Sequence, residues 1–266
     1  MSLKPDFLKN RSAIVTGSTS GIGLAIAQGL CQAGANVMLN GFGDQKEIEN
    51  LVKAFQKKYS GKVIYSAADM SKTSDIQSMV KEAEQAFKQL DIIVNNAGIQ
   101  HVAPIQEFPL EKWEAIININ LSAAYKIVKE VLPSMLKQNW GRIINIASTH
   151  AMVASPFKSA YVAAKHGLVG LTKVIALETA ETEITCNAIC PGYVKTPLVD
   201  KQIKDQAKVH HLPEERVIKE VLLKAQPNKK FIEAEHVSDL VLFLCSESGN
   251  GMTGSVLLMD GGWTAQ

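Results

Sequence analysis

Seven short apolar stretches rich in β-branched residues lie near 12–16, 36–40, 62–67, 91–95, 141–147, 184–190 and 255–259. They alternate with segments of helical periodicity near 22–33, 44–59, 74–88, 110–138, 159–182, 214–226 and 236–246. This alternation constrains the fold more than any other feature. Strands joined through helices run parallel, and a parallel sheet needs helices over both faces to bury its apolar residues. The expected class is α/β: a single-domain, Rossmann-type doubly wound parallel sheet with helices on both faces, spanning 1–266. The polar, helix-rich stretch at about 200–230 would be a lid-like insertion or a permanently docked helix pair. An apolar content of 46 % over this length agrees with one large core.

Charge and composition narrow the partners. The net charge is +2 and no basic cluster is present, so neither nucleic acid nor a membrane surface is called for. No apolar run approaches the ~20 residues of a membrane span. Met1-Ser2-Leu3-Lys4-Pro5-Asp6 lacks the apolar core of a signal peptide, so a cytoplasmic protein is expected. Cys186 and Cys190 would share one face of a strand, but no second ligand pair accompanies them. Cys31, Cys186, Cys190 and Cys245 therefore read as buried reduced thiols, and no metal site is expected.

Two motifs carry chemistry. Thr16-Gly17-Ser18-Thr19-Ser20-Gly21-Ile22-Gly23 follows the first apolar stretch and opens a helical pattern. A glycine-rich turn there lets backbone approach a pyrophosphate and sets a helix N-terminus against its charge, although the spacing is Gly-x3-Gly-x-Gly and not G-x-G-x-x-G. Tyr161 and Lys165 stand at i and i+4, on one helical face, with Ser148 at the end of Ile143-Ile144-Asn145-Ile146-Ala147. A phenol titrates near ~10 in water. A nearby ammonium and the positive ring of an oxidised nicotinamide would favour the phenolate, while Ser148 could bond the oxygen of an alcohol or ketone.

The order Gly17…Gly21-Ile22-Gly23, Asp69, Asn95-Asn96-Ala97-Gly98, Asn120, Ser148, Tyr161-x3-Lys165 and Pro191-Gly192 resembles the short-chain dehydrogenase/reductase family. The resemblance implies Asn120, Ser148, Tyr161 and Lys165 as catalytic residues, Asn120 anchoring a water with Asn118 as its rival. It implies cofactor contacts from Gly17, Thr19, Ser20, Gly21, Ile22 and Gly23, and from Phe42, Asp69 and Met70. Further contacts would come from Asn96, Ala97 and Gly98, from Tyr161 and Lys165, and from Pro191, Gly192, Val194, Thr196 and Leu198. Asp69 would bind the adenine amino group; alone, it could equally be a turn or capping residue ahead of Ser71.

Cofactor choice rests on Leu39-Asn40-Gly41-Phe42. An acid at this strand end would mark NAD and an arginine would clamp the 2′-phosphate of NADP. Gly41 and Phe42 supply neither, and the apolar Phe42 offers nothing to a phosphate, so NAD is expected.

Local strings also resemble bacterial-type D-3-hydroxybutyrate dehydrogenases: Asn96-Ala97-Gly98-Ile99-Gln100-His101-Val102, Ile146-Ala147-Ser148-Thr149-His150 and Lys158-Ser159-Ala160-Tyr161. Gln100, His150, Lys158 and Gln202 offer a cation, an imidazole and two amides for a carboxylate, and the resemblance implies that role. Ser148, Tyr161 and Tyr193 complete the substrate set, with Tyr193 standing where relatives carry tryptophan. His101 is left out because alternation would turn it away. The partner is then a small hydroxy or keto acid, oxidised reversibly in an NAD-dependent reaction, and the relatives' habit implies a homotetramer. An NADPH-dependent 3-oxoacyl thioester reductase, a polyol dehydrogenase and a catalytically silent NAD-binding sensor are the competing readings.

Overall fold

In the computed structural model, residues 6–196, 199, 200, 203, 207 and 212–265 are described. The apolar stretches form strands β1 (Ser12–Val15), β2 (Asn36–Asn40), β3 (Val63–Ser66), β4 (Ile92–Asn95), β5 (Gly141–Ile146), β6 (Ile184–Pro191) and β7 (Val256–Met259). They pair in the order β3-β2-β1-β4-β5-β6-β7, parallel throughout. The chain order reverses between β1 and β4, which is where such sheets open a crevice beyond their carboxyl ends.

Both faces are buried, as continuous apolar strands require. Ala13 and Val15, Val37 and Leu39, and Ile92 and Val94 point to one face, covered by α1 (Gly21–Gln32), α2 (Gln45–Lys58) and the last long helix (Ala234–Cys245). Ile14, Met38, Ile93 and Ile143 point to the other, beneath α3 (Thr73–Phe87), α5 (Ala123–Gln138) and α6 (Ser159–Glu178). At the opposite end of the sheet from the crevice, Trp140 lies between two guanidiniums. Arg11 is 3.6 Å and Arg142 4.4 Å from its ring centroid, and Arg142 also donates 2.8 Å hydrogen bonds to the Gly141 and Glu183 carbonyls. These partners explain how Arg142 can be buried.

Three expectations are revised. The helix expected over 110–138 is interrupted: α4 (Leu110–Ile117) and α5 are joined by a π turn, Asn118–Ser122, which inserts one residue and carries Asn120 inward. The helix expected over 214–226 is a short turn, Glu214–Arg216, running into a second π turn, Val217–Leu222. Finally, α6 has the length and hydropathy of a membrane span, contrary to the sequence reading. Ala164, Leu168, Thr172 and Ile175 bury its inner face in the protein, so the apolar character belongs to the core. Most of 200–211 lies outside the described residues.

Candidate active site

The cofactor end is stitched together by side chains at three strand ends, which between them tie four strands. Thr16 Oγ1 accepts from the Asn96 and Ala97 N–H groups, both at 3.0 Å, and Asn96 Nδ2 donates to the carbonyls of Thr16 (2.9 Å) and Gly17 (3.0 Å). Gly17 has φ +63°, and a Cβ on Gly23 would collide with the Gly17 carbonyl and the Asn96 amide; the turn therefore requires glycine at both positions. Buried Asn40 accepts from Gly17 N–H at 3.3 Å and donates to the carbonyls of Ser66 (3.1 Å) and Ala68 (2.9 Å).

The first turn of α1 holds no acidic residue, and its N-cap Ser20 makes no side-chain capping bond. Its N–H groups are free to receive an anion, which fits a pyrophosphate. Ser20, Gly21, Ile22, Asn96 and Gly98, with Pro191, Gly192, Val194 and Thr196, line a cleft of about 780 Å³. Beyond the ends of β2 and β3, Asp69 Oδ1 accepts from Ser71 N–H (2.9 Å) and Oγ–H (2.7 Å), bonds that hold its carboxyl below the usual range. Met70 is buried beside it, while Phe42 is 67 % exposed with its carbonyl bonded by Thr19 Oγ1. Leu198 lies outside the described residues.

The reactive end is organised by β5 and α6. Ser148 follows β5 and accepts from the His150 N–H at 3.1 Å, capping the turn Thr149–Ala151. One helical turn apart on α6, Tyr161 and Lys165 face the same cleft. Lys165 Nζ donates to the Ile146 carbonyl at 2.8 Å and lies 5.6 Å from the Tyr161 ring centroid; burial pulls its amine down to about 8. The Tyr161 phenol behaves differently from expectation. Burial raises it above its ordinary value, and Ser148 opposes that by stabilising the phenolate. The protein's own desolvation thus exceeds its stabilisation of the anion. Asn120 clasps the Ile99 backbone, accepting from its N–H and donating to its carbonyl, each at 2.9 Å. A cavity of about 10 Å³ between Thr16, Asn95, Asn120 and Lys165 has room for about one water.

At the substrate end the cleft gathers Gln100, Ser148, His150, Lys158, Tyr161 and Tyr193. His150 Nε2 is 2.9 Å from Ser155 Oγ and Nδ1 is 3.5 Å from Ser148 Oγ; burial, reinforced by Lys158 and His166, lowers the imidazole to about 4, so it is neutral at pH 7. Lys158 is half-buried, its pKa lowered by desolvation, and no acidic side chain pairs with it among the described residues. The residue before it, Phe157, holds a left-handed φ of +69° and is pinned by Ala103 N–H at 3.0 Å; this turn directs Lys158 to the cleft.

Sequence reasoning missed Trp263, which stacks on Tyr193 (centroids 6.1 Å, planes 6° apart) and meets His150 edge-on at 5.3 Å. Ile99, Val102 and His101 also line the cleft. His101 was excluded by strand alternation, but the chain beyond Asn95 is irregular and alternation does not apply. Gln202 lies outside the described residues.

The family model for short chain dehydrogenases matches residues 11–207. The chain is 54 % identical over 256 residues to a D-beta-hydroxybutyrate dehydrogenase of Rhizobium meliloti (strain 1021), covering 96 % of this chain and 99 % of that protein. It is 51 % identical over 259 residues to the protein of that name from Cupriavidus necator, covering 97 % and 100 %. Among solved structures, an actinorhodin polyketide ketoreductase variant with NADPH superposes with a TM-score of 0.88 at 29 % identity, over 96 % of this chain and 98 % of that one. With its glycine turn, its Ser148–Tyr161–Lys165 cleft and these likenesses, the chain belongs to the short-chain dehydrogenase family.

Proposed function

We propose that this protein is an NAD-dependent D-3-hydroxybutyrate dehydrogenase that interconverts D-3-hydroxybutyrate and acetoacetate. The observation that carries this reading is Lys158: a desolvated cation without an acidic partner among the described residues, in the same cleft as Ser148 and Tyr161. Such a site is completed by an anion on the substrate. Gln100 adds amide capacity beside it, and neutral His150 adds an edge without adding charge. The two relatives of half-identical sequence carry that activity in their names.

A nicotinamide dinucleotide, held by the α1 N-terminus, Asn96 and the 191–196 segment, supplies the hydride acceptor. The residues of this chain handle the proton and the alignment. Ser148 holds the reacting oxygen through its hydroxyl. Tyr161 takes the substrate's hydroxyl proton in oxidation and returns it in reduction. Lys165, fixed by Ile146, holds its ammonium 5.6 Å from the phenol ring, while the Ser148 hydroxyl opposes the burial that raises the phenol. Asn120 faces the small cavity next to Lys165, a route by which a water can take the proton onward.

NAD is favoured over NADP at the end of β2. Phe42 offers no cation, and a Cβ at Gly41 would sit 2.7 Å from Thr19 Oγ1, so the turn is tight as well as uncharged. Exposed apolar residues on α5 and α6, Tyr125, Leu136, Val174 and Leu177, with Leu258 on the edge strand β7, support a homotetramer. The four unpaired, buried thiols suit a cytoplasmic enzyme.

The deciding experiment follows reduced-nicotinamide absorbance with acetoacetate plus NADH against acetoacetyl-CoA plus NADPH. Fast turnover with the first pair alone is expected. Fast turnover with the second alone would make the protein a thioester reductase and overturn the substrate reading.

A further inference from the structure

The wall formed by Tyr193 and Trp263 is assembled from two distant parts of the chain, and a third part holds them together. Gln226 has no exposed surface. Its Oε1 accepts from the Tyr193 N–H at 3.2 Å, and its Nε2 donates to the Lys230 carbonyl and reaches Asn228 Oδ1 at 3.4 Å. Asn228 Oδ1 also accepts from Lys230 N–H at 3.0 Å, and Asn228 N–H donates to the Gly261 carbonyl at 3.2 Å.

Two glycines make room for these amides. A Cβ at Gly192 would lie 2.5 Å from Gln226 Oε1, and one at Gly261 would overlap the Asn228 carboxamide. Gly261 is followed by Gly262 and Trp263, whose turn is held by Asp260 Oδ1 and Oδ2 accepting from Gly262 N–H (3.0 Å) and Thr264 N–H (2.8 Å). Buried Gln226 and the exposed Asn228 beside it therefore touch, respectively, the backbone that carries Tyr193 and the turn that carries Trp263.

We propose that Gln226 is a positioning residue for substrate selection: with Asn228 it brackets the Gly192–Tyr193 and Gly261–Trp263 segments and fixes the stacked aromatic wall of the substrate cleft. The inference rests on the substrate reading above only for the choice of assay substrate. The α1 turn, Asn96, Ser148, Tyr161 and Lys165 are not bonded to this bracket, which meets the cofactor side only through the backbone of the 191–196 segment, so loosening it acts first on substrate fit and not on the chemical step.

The test compares wild type, Gln226→Leu and Gln226→Glu. In Gln226→Leu the Tyr193 N–H and the Lys230 carbonyl lose their partner; KM for acetoacetate is expected to rise about tenfold, with kcat and NADH affinity each changed less than about threefold. Gln226→Glu keeps an acceptor for Tyr193 and is expected to show a smaller rise in KM. It also serves as the test variant if the leucine protein does not fold. A readout without substrate accompanies the kinetics: the Trp263 emission, isolated by subtracting the spectrum of Trp263→Phe, is expected to shift to the red and quench more readily with iodide in Gln226→Leu. If kcat falls while KM and the Trp263 emission stay at wild-type values, Gln226 serves folding alone and the proposal is overturned. Absence of wild-type turnover with acetoacetate would instead sink the substrate reading and leave the fluorescence test standing.

Discussion

The two halves of the cleft are built on opposite plans. The cofactor half is a lattice of backbone groups and short amides in which Thr16, Asn40 and Asn96 tie the ends of β1, β2, β3 and β4 at 2.9–3.3 Å. The substrate half has polar capacity left over: Lys158 without an acidic partner among the described residues, and an aromatic wall drawn from residues 193 and 263. Binding a ligand common to many enzymes calls for a rigid backbone cradle that leaves only helix N–H groups open. Choosing one small acid calls for a side chain kept in need of a counter-charge.

If that division is real, substitutions in one half leave the other half's parameters alone. The largest effect belongs to the shared chemistry: Tyr161→Phe should lower kcat by about 10³ while NADH still binds, read by nucleotide fluorescence; loss of NADH binding would show that the two halves are not separable. Next comes Lys158→Met, expected to raise KM for acetoacetate about a hundredfold, the loss of a charge-assisted bond, with NADH affinity unmoved.

His150 sharpens the contrast through pH. Its pKa falls from 6.5 unfolded to about 4 folded, so the unfolded state binds the extra proton first. Stability contributed by the neutral ring is whole above pH 6.5 and is lost as pH falls toward about 4, at most about 3 kcal/mol at ~1.36 kcal/mol per unit. His150→Asn should flatten the acid limb of Tm against pH in that window; an unchanged limb would remove His150 as its source. The smallest effect is on the cofactor side, where Phe42→Arg, at an exposed position, should raise NADPH use about tenfold by supplying a phosphate partner and leave Tm and the acetoacetate KM in place.

The same contrast explains what could be read from the sequence. Strand positions were legible to within a residue or two because a parallel sheet buried on both faces writes itself as apolar runs. The glycine turn, Asn96, Ser148, Tyr161 and Lys165 were legible because each follows a strand end or shares a helix face, and local spacing carries that information. Trp263 and Gln226 were not, since they reach the cleft by way of contacts with residues 33 or more positions away in the chain. The break at Asn118–Ser122 was hidden for another reason. Periodicity averages over a window, and one inserted residue leaves apolar residues on both sides.

That inserted residue sets a rule for how the chain can change. An α-helix turns about 100° per residue, so deleting one position between 118 and 122 would rotate α4 against α5 by that angle. Asn120 would leave the Ile99 backbone, and the inward stripe of α5, Ala124, Ile127, Val131 and Met135, would lose its alignment with α4. Length here therefore behaves as a unit: a single-codon deletion is expected to disturb the packing of α4 on α5 and the Asn120–Ile99 clasp together.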